Sequence, residues 1–300
     1  MMIWGFNVSA IKILVSNVDP ILLTSFRIFV AGVAVLITCM IMGIFRLPRK
    51  KEWLHILFIA LFNVILHHTF VAIGIDNTYG MNAGLILGTV PLLTMILSIL
   101  LLRQRVSRWR IFGFILGFIG IIITSSSGFD FASISYGDFI VLLGALVQAF
   151  SFILISKLNP SFDPRLFTGY MLFIGSFFIF GTSLFIENDV SQIQKLFSWD
   201  IGILFLLSAF FGTAFGHMIY NFAIKQVGPA ETAIFINLNT VFAVLGSVLF
   251  LGEVVTLNHG IGFLFILMGV FFGTGSVEYI VLKRHEKKNT IDEERVRHSQ

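Results

Sequence analysis

The sequence predicts an all-α integral membrane protein whose ten transmembrane helices form two inverted five-helix repeats. Three observations carry this prediction: an apolar composition, ten apolar stretches between short polar connections, and a similarity between the two halves. Hydrophobic residues make up 57% of the 300 residues and charged residues 12%, whereas soluble domains carry about a quarter charged residues. A soluble globule must cover itself with polar groups. This composition therefore excludes a soluble enzyme, a nucleic-acid-binding protein and, with Cys39 as the single cysteine, a disulfide scaffold.

The ten predicted spans approach the roughly 20 apolar residues that cross about 30 Å of hydrocarbon. They cover residues 1–17, 20–43, 53–75, 81–102, 109–126, 137–157, 165–186, 200–224, 229–251 and 257–282. The first span is short, at about 22 Å of helix between Met1 and Val15. We expect either a tilted helix that thins the bilayer or, as the preferred interpretation, a true start upstream of Met1.

The basic residues predict the orientation of these spans. With ten spans and a cytoplasmic N-terminus, 17 of the 20 lysines and arginines fall on alternate connections and on the tail. Positive residues concentrate on the cytoplasmic side of membrane proteins. The predicted location is therefore the cell membrane, crossed several times, with both termini in the cytoplasm.

The two halves of the chain resemble each other. The segment 113–120 matches the segment 262–269 at an offset of 149, and Pro20 and Thr24 match Pro164 and Thr168 at an offset of 144. Five spans per half is an odd number, so the second copy must enter the membrane the other way up, as in many secondary transporters. The predicted units are a first repeat over 1–126, a second repeat over 137–282 and a charged cytoplasmic tail over 283–300.

Several short motifs follow one another in a characteristic order. They are Trp4-Gly5-Phe6-Asn7, Pro20 with Arg27, Ala83-Gly84-Leu85-Ile86, Thr89-Val90-Pro91-Leu92, and Phe250-Leu251-Gly252-Glu253 before a glycine-rich last span. In the order, the spacing and the duplication of these motifs, the chain resembles the EamA-type transporters of the drug/metabolite transporter superfamily. The resemblance implies a ten-helix fold with a central pocket lined mainly by spans 1, 3, 4, 6, 8 and 9. It also implies the export of small metabolites, often amino acids.

Polar side chains within the spans supply the candidate site. Such groups are costly to place in lipid, so those that occur in a span generally face the interior of the bundle and serve a function there. The candidate substrate-binding residues are Asn7, Lys12, Asn63, His67, Asn82, Gln148, His217, Tyr220, Asn221 and Asn237. Lys12 either binds a substrate carboxylate or extends its ammonium group to the membrane surface. Arg27 is interpreted as structural: it either extends its guanidinium group to the membrane surface or braces the turn at Asp19.

Three histidines lie within the spans, and the internal repeat relates them. His67 and His68 lie in span three, and His217 lies in span eight at an offset of 149–150. They either line the pocket, carry protons as the coupling ion, or pack as neutral side chains against a neighbouring helix.

The leading functional prediction is a secondary transporter that moves a small zwitterion or anion by alternating access. The alternatives are an intramembrane enzyme and a channel or scaffold protein. The sequence contains no nucleotide-binding G-x4-G-K-[ST] loop and no histidine motif of a membrane metalloenzyme, so we expect no metal, no cofactor and no catalysis. The expected partners are the lipid bilayer, the substrate and protons.

The small-residue stripes Gly113-x3-Gly117 and Gly269-x3-Gly273 serve either as scaffold contacts or as the surface of a homodimer. Pro91 predicts a kink, and the carbonyl that it frees serves either a ligand or only the bend.

Overall fold

The computed structural model describes residues 1–125, 135–158, 162–187, 189–252, 254 and 257–273. Within these ranges the chain is helical and contains no strand. The helices are α1 (Met2–Val15), α2 (Pro20–Ile41), α3 (Lys50–Asp76), α4 (Gly80–Leu87), α5 (Val90–Leu102), α6 (Arg108–Ser125), α7 (Tyr136–Ser156), α8 (Pro164–Ile186), α9 (Trp199–Val227), α10 (Pro229–Leu251) and α11 (Leu257–Gly273). A 3-10 segment, Val190–Phe197, joins α8 to α9. The predicted tail over 283–300 lies outside the described residues.

Six helices of this described set are long and apolar enough to cross a membrane. They are α2, α3, α7, α8, α9 and α10, and α1 and α5 are shorter apolar helices. The prediction of an all-α membrane protein is confirmed at this level. Helix α1 has 14 residues, which agrees with the short first span that the sequence indicates.

Prolines mark the beginning of four helices. Pro20, Pro91, Pro164 and Pro229 each lie in the first turn of α2, α5, α8 and α10, where a missing N–H group costs nothing and the fixed φ favours the helix. Pro91 thus follows a full interruption of the helix, where the sequence predicted a kink. The fourth predicted span divides at residues 88–89 into α4 and α5.

Glycines allow helices α6 and α11 to pack backbone to backbone. A Cβ atom on Gly269 would lie 2.5 Å from the nitrogen of Gly117 and 2.8 Å from the carbonyl oxygen of Gly113. The two glycine stripes therefore contact each other within one chain and act as scaffold contacts. A homodimer stays a prediction, and it would have to use another surface.

Helices α3 and α9 each contain a π-helical segment in their middle. These segments are Leu61–Leu66 and Ser208–Phe215. Each directly precedes the turn that carries the histidines, which begins at His67 in α3 and at Gly216 in α9. Such segments are rare and occur frequently at functional sites, and here they flank the same cavity.

Candidate functional site

A central cavity of about 100 Å³ lies between α1, α2, α3, α7, α9 and α10, beside the break between α4 and α5. Its polar walls are formed by Asn7, Arg27, His67, His68, Gln148, Thr213, His217 and Asn239. Trp4 and Phe152 supply aromatic walls, and Leu87 and Val90 line it at the helix break. The helices of spans 1, 3, 4, 6, 8 and 9, which the resemblance implies, all contribute, and α2 contributes in addition.

Arg27 places a buried positive charge in this cavity. The side chain is only 3% exposed, and its Nη1 donates a hydrogen bond of 2.8 Å to the Thr213 hydroxyl. Its Nε group has no hydrogen-bond partner, and no Asp or Glu occurs among the described residues that line the cavity. A buried charge without a counter-charge is costly. The guanidinium group, which has five N–H donors, is therefore prepared to receive an anionic group.

The three histidines form one contiguous cluster across α3 and α9. The ring centroids of His67 and His68 are 4.7 Å apart, and those of His68 and His217 are 5.1 Å apart. His67 Nδ1 lies 2.9 Å from the carbonyl oxygen of Gly144, and because a carbonyl only accepts, Nδ1 carries the proton in this bond. His68 Nε2 and His217 Nδ1 have no partner. The cluster thus retains two buried nitrogen atoms without hydrogen-bond partners beside the cavity.

Trp4 and the amide side chains complete the cavity wall. The Trp4 Nε1 group donates a hydrogen bond of 2.7 Å to the carbonyl oxygen of Gly212, inside the π-helical segment of α9. The indole ring also contacts the His217 ring at a centroid distance of 5.2 Å. The amide oxygens of Gln148 and Asn239 are buried without partners, so they are free to accept hydrogen bonds from an ammonium or hydroxyl group.

Lys12 does not line the cavity. Its Nζ donates to the carbonyl oxygens of Ile75 at 2.9 Å, Asp76 at 3.3 Å and Thr78 at 2.9 Å, at and beyond the C-terminal end of α3. The negative end of a helix dipole and its free carbonyls favour a cation there. The long side chain reaches along the helix surface to that end and caps α3, and a carboxylate contact of Lys12 stays a prediction.

The other predicted residues divide between the cavity and contacts elsewhere. Asn7, His67, Gln148 and His217 line the cavity, and Tyr220 lies behind Trp4 at a ring distance of 5.0 Å. The remaining amides contact other helices: Asn63 donates to Ser151 at 2.7 Å, Asn221 to Thr168 at 3.0 Å and Asn82 to Asp138 at 3.5 Å, while Asn237 contacts Gly117. The hydrogen bonds of Asn63, Asn221 and Asn82 hold helices together. The candidate residues from the sequence did not include Trp4, Arg27, Thr213 and Asn239, and His68 was considered only as one of the three histidines within the spans.

We expect the substitution Lys12→Met to weaken the fold and to leave binding in the cavity unchanged. A buried hydrogen bond from a charged donor contributes about 1.5–3 kcal/mol to the free energy of unfolding. The partial exposure of the Lys12 side chain reduces this contribution. Thermal unfolding in detergent should show a loss of about 1–2 kcal/mol, and ligand affinity should stay within about twofold of the unmodified protein. Lys195→Met is the matched control, since exposed Lys195 donates to a single carbonyl, that of Asn17. Loss of binding with intact stability would restore the predicted substrate contact of Lys12.

Known proteins resemble this chain along nearly its whole length. The EamA-like transporter family matches residues 1–126 and 135–274. The uncharacterized transporter YyaM of Bacillus subtilis is 26% identical over 253 residues, which cover 82% of this chain and 81% of that protein. An uncharacterized transporter of Archaeoglobus fulgidus is 28% identical over 279 residues, or 90% of this chain and 81% of the relative.

Two further similarities are more distant. A chloroplastic WAT1-related protein of Arabidopsis thaliana is 23% identical over 83% of this chain and 61% of its own length. A solved crystal structure of a protein superposes with a TM-score of 0.70 at 16% identity and covers 91% of this chain and 94% of that chain, a likeness that concerns the fold alone. The family match and the relatives indicate a transporter and not an enzyme. The chain therefore belongs to the EamA-like transporters of the drug/metabolite transporter superfamily.

Proposed function

We propose that this transporter is a secondary carrier that moves a small zwitterion or anion, and that it exports this substrate by alternating access through the central cavity. The observation that carries the proposal is Arg27, which is 3% exposed and faces a cavity without any carboxylate among its described lining residues. An anionic group of the substrate supplies the missing counter-charge. The free amide oxygens of Gln148 and Asn239 accept the ammonium group when the substrate is a zwitterion.

The proposed architecture behind this cycle is a ten-helix bundle of two inverted repeats over 1–126 and 137–282. Two observations support it. The family matches the chain twice, over 1–126 and 135–274, and the π-helical segments of α3 and α9 precede histidines on both sides of one cavity. In transporters with inverted repeats, substrate sites lie at the interface of the repeats near the middle of the membrane. The rocking of one repeat against the other then opens the cavity alternately to each side.

Contacts at the helix ends support the grouping of connecting segments onto two sides that the proposed topology requires. On the predicted outer side, Lys195 donates to the carbonyl of Asn17, and Gln192 donates to Asp19 at 3.1 Å. On the predicted cytoplasmic side, the hydroxyl of Tyr170 donates to the carbonyl oxygen of Arg46 at 2.9 Å. Tyr170 lies in the second turn of α8, so each contact joins residues in or beside connections that the count of basic residues assigns to the same side.

We expect a reporter that is active only in the cytoplasm to be active when fused after Leu47, in the basic connection between α2 and α3. The same reporter fused after Asn77, between α3 and α4, should be inactive, because one crossing separates the two positions. Activity in colonies that carry each fusion measures this. Activity at Asn77 together with inactivity at Leu47 would invert the orientation, and equal activity at both would remove α3 as a crossing.

Protons are the proposed coupling ion. Histidine exchanges a proton near neutral pH, and the groups that face His68 are His67, His217 and Arg27 in the described cavity wall. An anion bound beside Arg27 offsets the guanidinium charge and favours a proton on the cluster, so that anion and proton bind together. Deprotonation then weakens binding and favours release.

Counterflow in proteoliposomes tests the proposal. Vesicles are loaded with an unlabelled amino acid or monocarboxylate and diluted into a trace of the same labelled compound. A carrier gives a transient accumulation of label above equilibrium, a channel gives equilibration alone, and an enzyme gives a changed compound. Repeating the assay with an imposed pH gradient tests protons as the driving ion. If amino acids and monocarboxylates both equilibrate without accumulation, the carrier proposal fails.

A further inference from the structure

An apolar groove opens beside α1 on the outer surface of the helix bundle. It has a volume of about 360 Å³, and α1, α9 and α10 form its walls. The apolar walls include Ile3, Phe6, Ala10, Leu207, Phe211 and Phe250. Leu207 is 50% exposed and Phe250 59% exposed, so the groove faces the lipid.

The groove and the central cavity share a wall. Asn7 of α1 and Gly212 of α9 line both spaces. The Asn7 amide oxygen accepts a hydrogen bond of 2.5 Å from the Ser208 hydroxyl, and a Cβ atom on Gly212 would lie 2.6 Å from Cγ of Asn7. The side chain of Asn7, packed against Gly212, therefore lies between an apolar space and the space that holds Arg27.

The sizes of the two spaces complement each other. Ligand sites generally measure roughly 300–1,000 Å³, and the central cavity is only about 100 Å³. The cavity accommodates a small charged group, and the groove adds the volume that a complete ligand needs. The polar and charged groups lie in the cavity, while the groove is almost wholly apolar. Such a division matches a molecule with an anionic head and an apolar tail.

A second lipid-facing groove provides a contrast. It lies between α2 and α8, measures about 210 Å³, and is lined by Ser25, Phe26, Phe29, Ser176, Phe177 and Phe180. None of these residues lines the central cavity. This groove has the form of an ordinary lipid contact, whereas the groove beside α1 is connected to a charged site.

We propose that the transported compound is an amphiphilic carboxylate whose head group binds Arg27 in the central cavity and whose apolar tail occupies the groove beside α1. This inference rests on the proposed carrier function and names its substrate class. The tail passes Asn7, so the side chain of Asn7 must move away from Ser208 when the ligand binds. The groove then remains open to the hydrocarbon of the membrane, which tolerates tails of different lengths.

The test compares short and long carboxylates. Butanoate, octanoate and their 2-amino counterparts are titrated into the protein in phosphatidylcholine nanodiscs, and the signal of empty nanodiscs is subtracted. Ala10→Trp and, separately, Leu207→Trp fill the groove with an indole ring. Phe177→Trp is the matched control, because it places the same ring in the groove between α2 and α8.

The unmodified protein and Phe177→Trp should bind the eight-carbon compound at least about tenfold more tightly than the four-carbon compound, since each buried methylene contributes roughly fourfold. This ratio should fall to within about twofold in both groove variants, while the four-carbon affinity is retained. Equal affinities for both lengths in the unmodified protein, with binding that still depends on Arg27, would overturn the inference and leave the carrier proposal standing. Chain-length dependence that survives both groove variants assigns the groove to membrane lipid and also overturns it. Absence of binding in both series would refute the carboxylate site itself, and with it the proposed function.

Discussion

Replacement of Arg27 with glutamine is expected to lower substrate exchange in proteoliposomes at least about 30-fold. Removal of one partner from a buried, hydrogen-bonded charge pair costs about 2–5 kcal/mol of binding, and 2 kcal/mol corresponds to about 30-fold. Glutamine keeps a donor for the Thr213 hydroxyl, which accepts from Arg27 at 2.8 Å, so the variant changes the charge more than the packing. The measurement is the initial rate of counterflow in proteoliposomes, compared between Arg27→Gln and the unmodified protein for a substrate whose exchange saturates.

The same variant is expected to be at least as stable as the unmodified protein. Arg27 pays a desolvation penalty without an ion pair among the described residues that line the cavity, and neutralisation removes this penalty. A purely structural arginine would give the opposite result, namely a loss of stability. Arg27→Lys, which keeps the charge but not the forked geometry, should restore part of the exchange. Unaffected exchange in Arg27→Gln, or an unfolded variant, would contradict the assignment of Arg27 as the anion-binding group.

Sequence reasoning named Lys12 as a candidate for the substrate carboxylate and interpreted Arg27 as structural. Depth along a helix can be counted from the sequence, but the direction of a side chain around the bundle depends on tertiary packing. Lys12 lies beside the end of α3 and donates to three carbonyls there. Arg27 points inward from α2, which the resemblance does not include among the pocket helices. The difference between the two residues is one of orientation, which the periodicity of a nearly uniform apolar helix does not determine.

The limits of most helices were predictable because polar residues, glycines and prolines interrupt the apolar stretches. The predicted span 165–186 corresponds to Pro164–Ile186, and the span 20–43 corresponds to Pro20–Ile41. The π-helical segments were not predictable from the sequence. A π-helical turn differs from an α-helical turn by one additional residue, which leaves no signal in the composition of the apolar stretch. These segments determine how His67 and His217 are rotated toward the cavity, and so the histidine cluster was predicted only in part.

Asn63 and His67 of α3 and His217 and Asn221 of α9 were all predicted to bind substrate, yet only one residue of each pair lines the cavity. His67 lines the cavity, whereas Asn63, one turn away, donates to Ser151 of α7. His217 lines the cavity, whereas Asn221 donates to Thr168 of α8. An amide in lipid needs a partner wherever it lies. Residue type alone therefore does not distinguish a substrate contact from a contact between helices.

Substitution of Gly269 with leucine is expected to prevent assembly of the bundle. A Cβ atom there would lie 2.5 Å from the backbone nitrogen of Gly117 and 2.7 Å from its Cα atom, and backbone atoms cannot move aside as a flexible side chain can. Helices α6 and α11 would have to separate along their contact. Excess volume in a packed interior costs about 1–3 kcal/mol and sometimes more, and the clash with backbone places this site at or above the upper end.

Gly260→Leu is the matched control for this prediction. It lies on the same helix, α11, and a Cβ atom there meets nothing within 4 Å. The two variants change helix propensity and hydrophobicity equally, so their difference isolates the close approach of the helices. We expect Gly269→Leu to be lost from the monodisperse peak in size-exclusion chromatography or to melt at least about 5 °C lower, and Gly260→Leu to behave as the unmodified protein. If both variants assemble equally well, the backbone contact between α6 and α11 does not hold the bundle together, because the helices can then separate at Gly269 without loss.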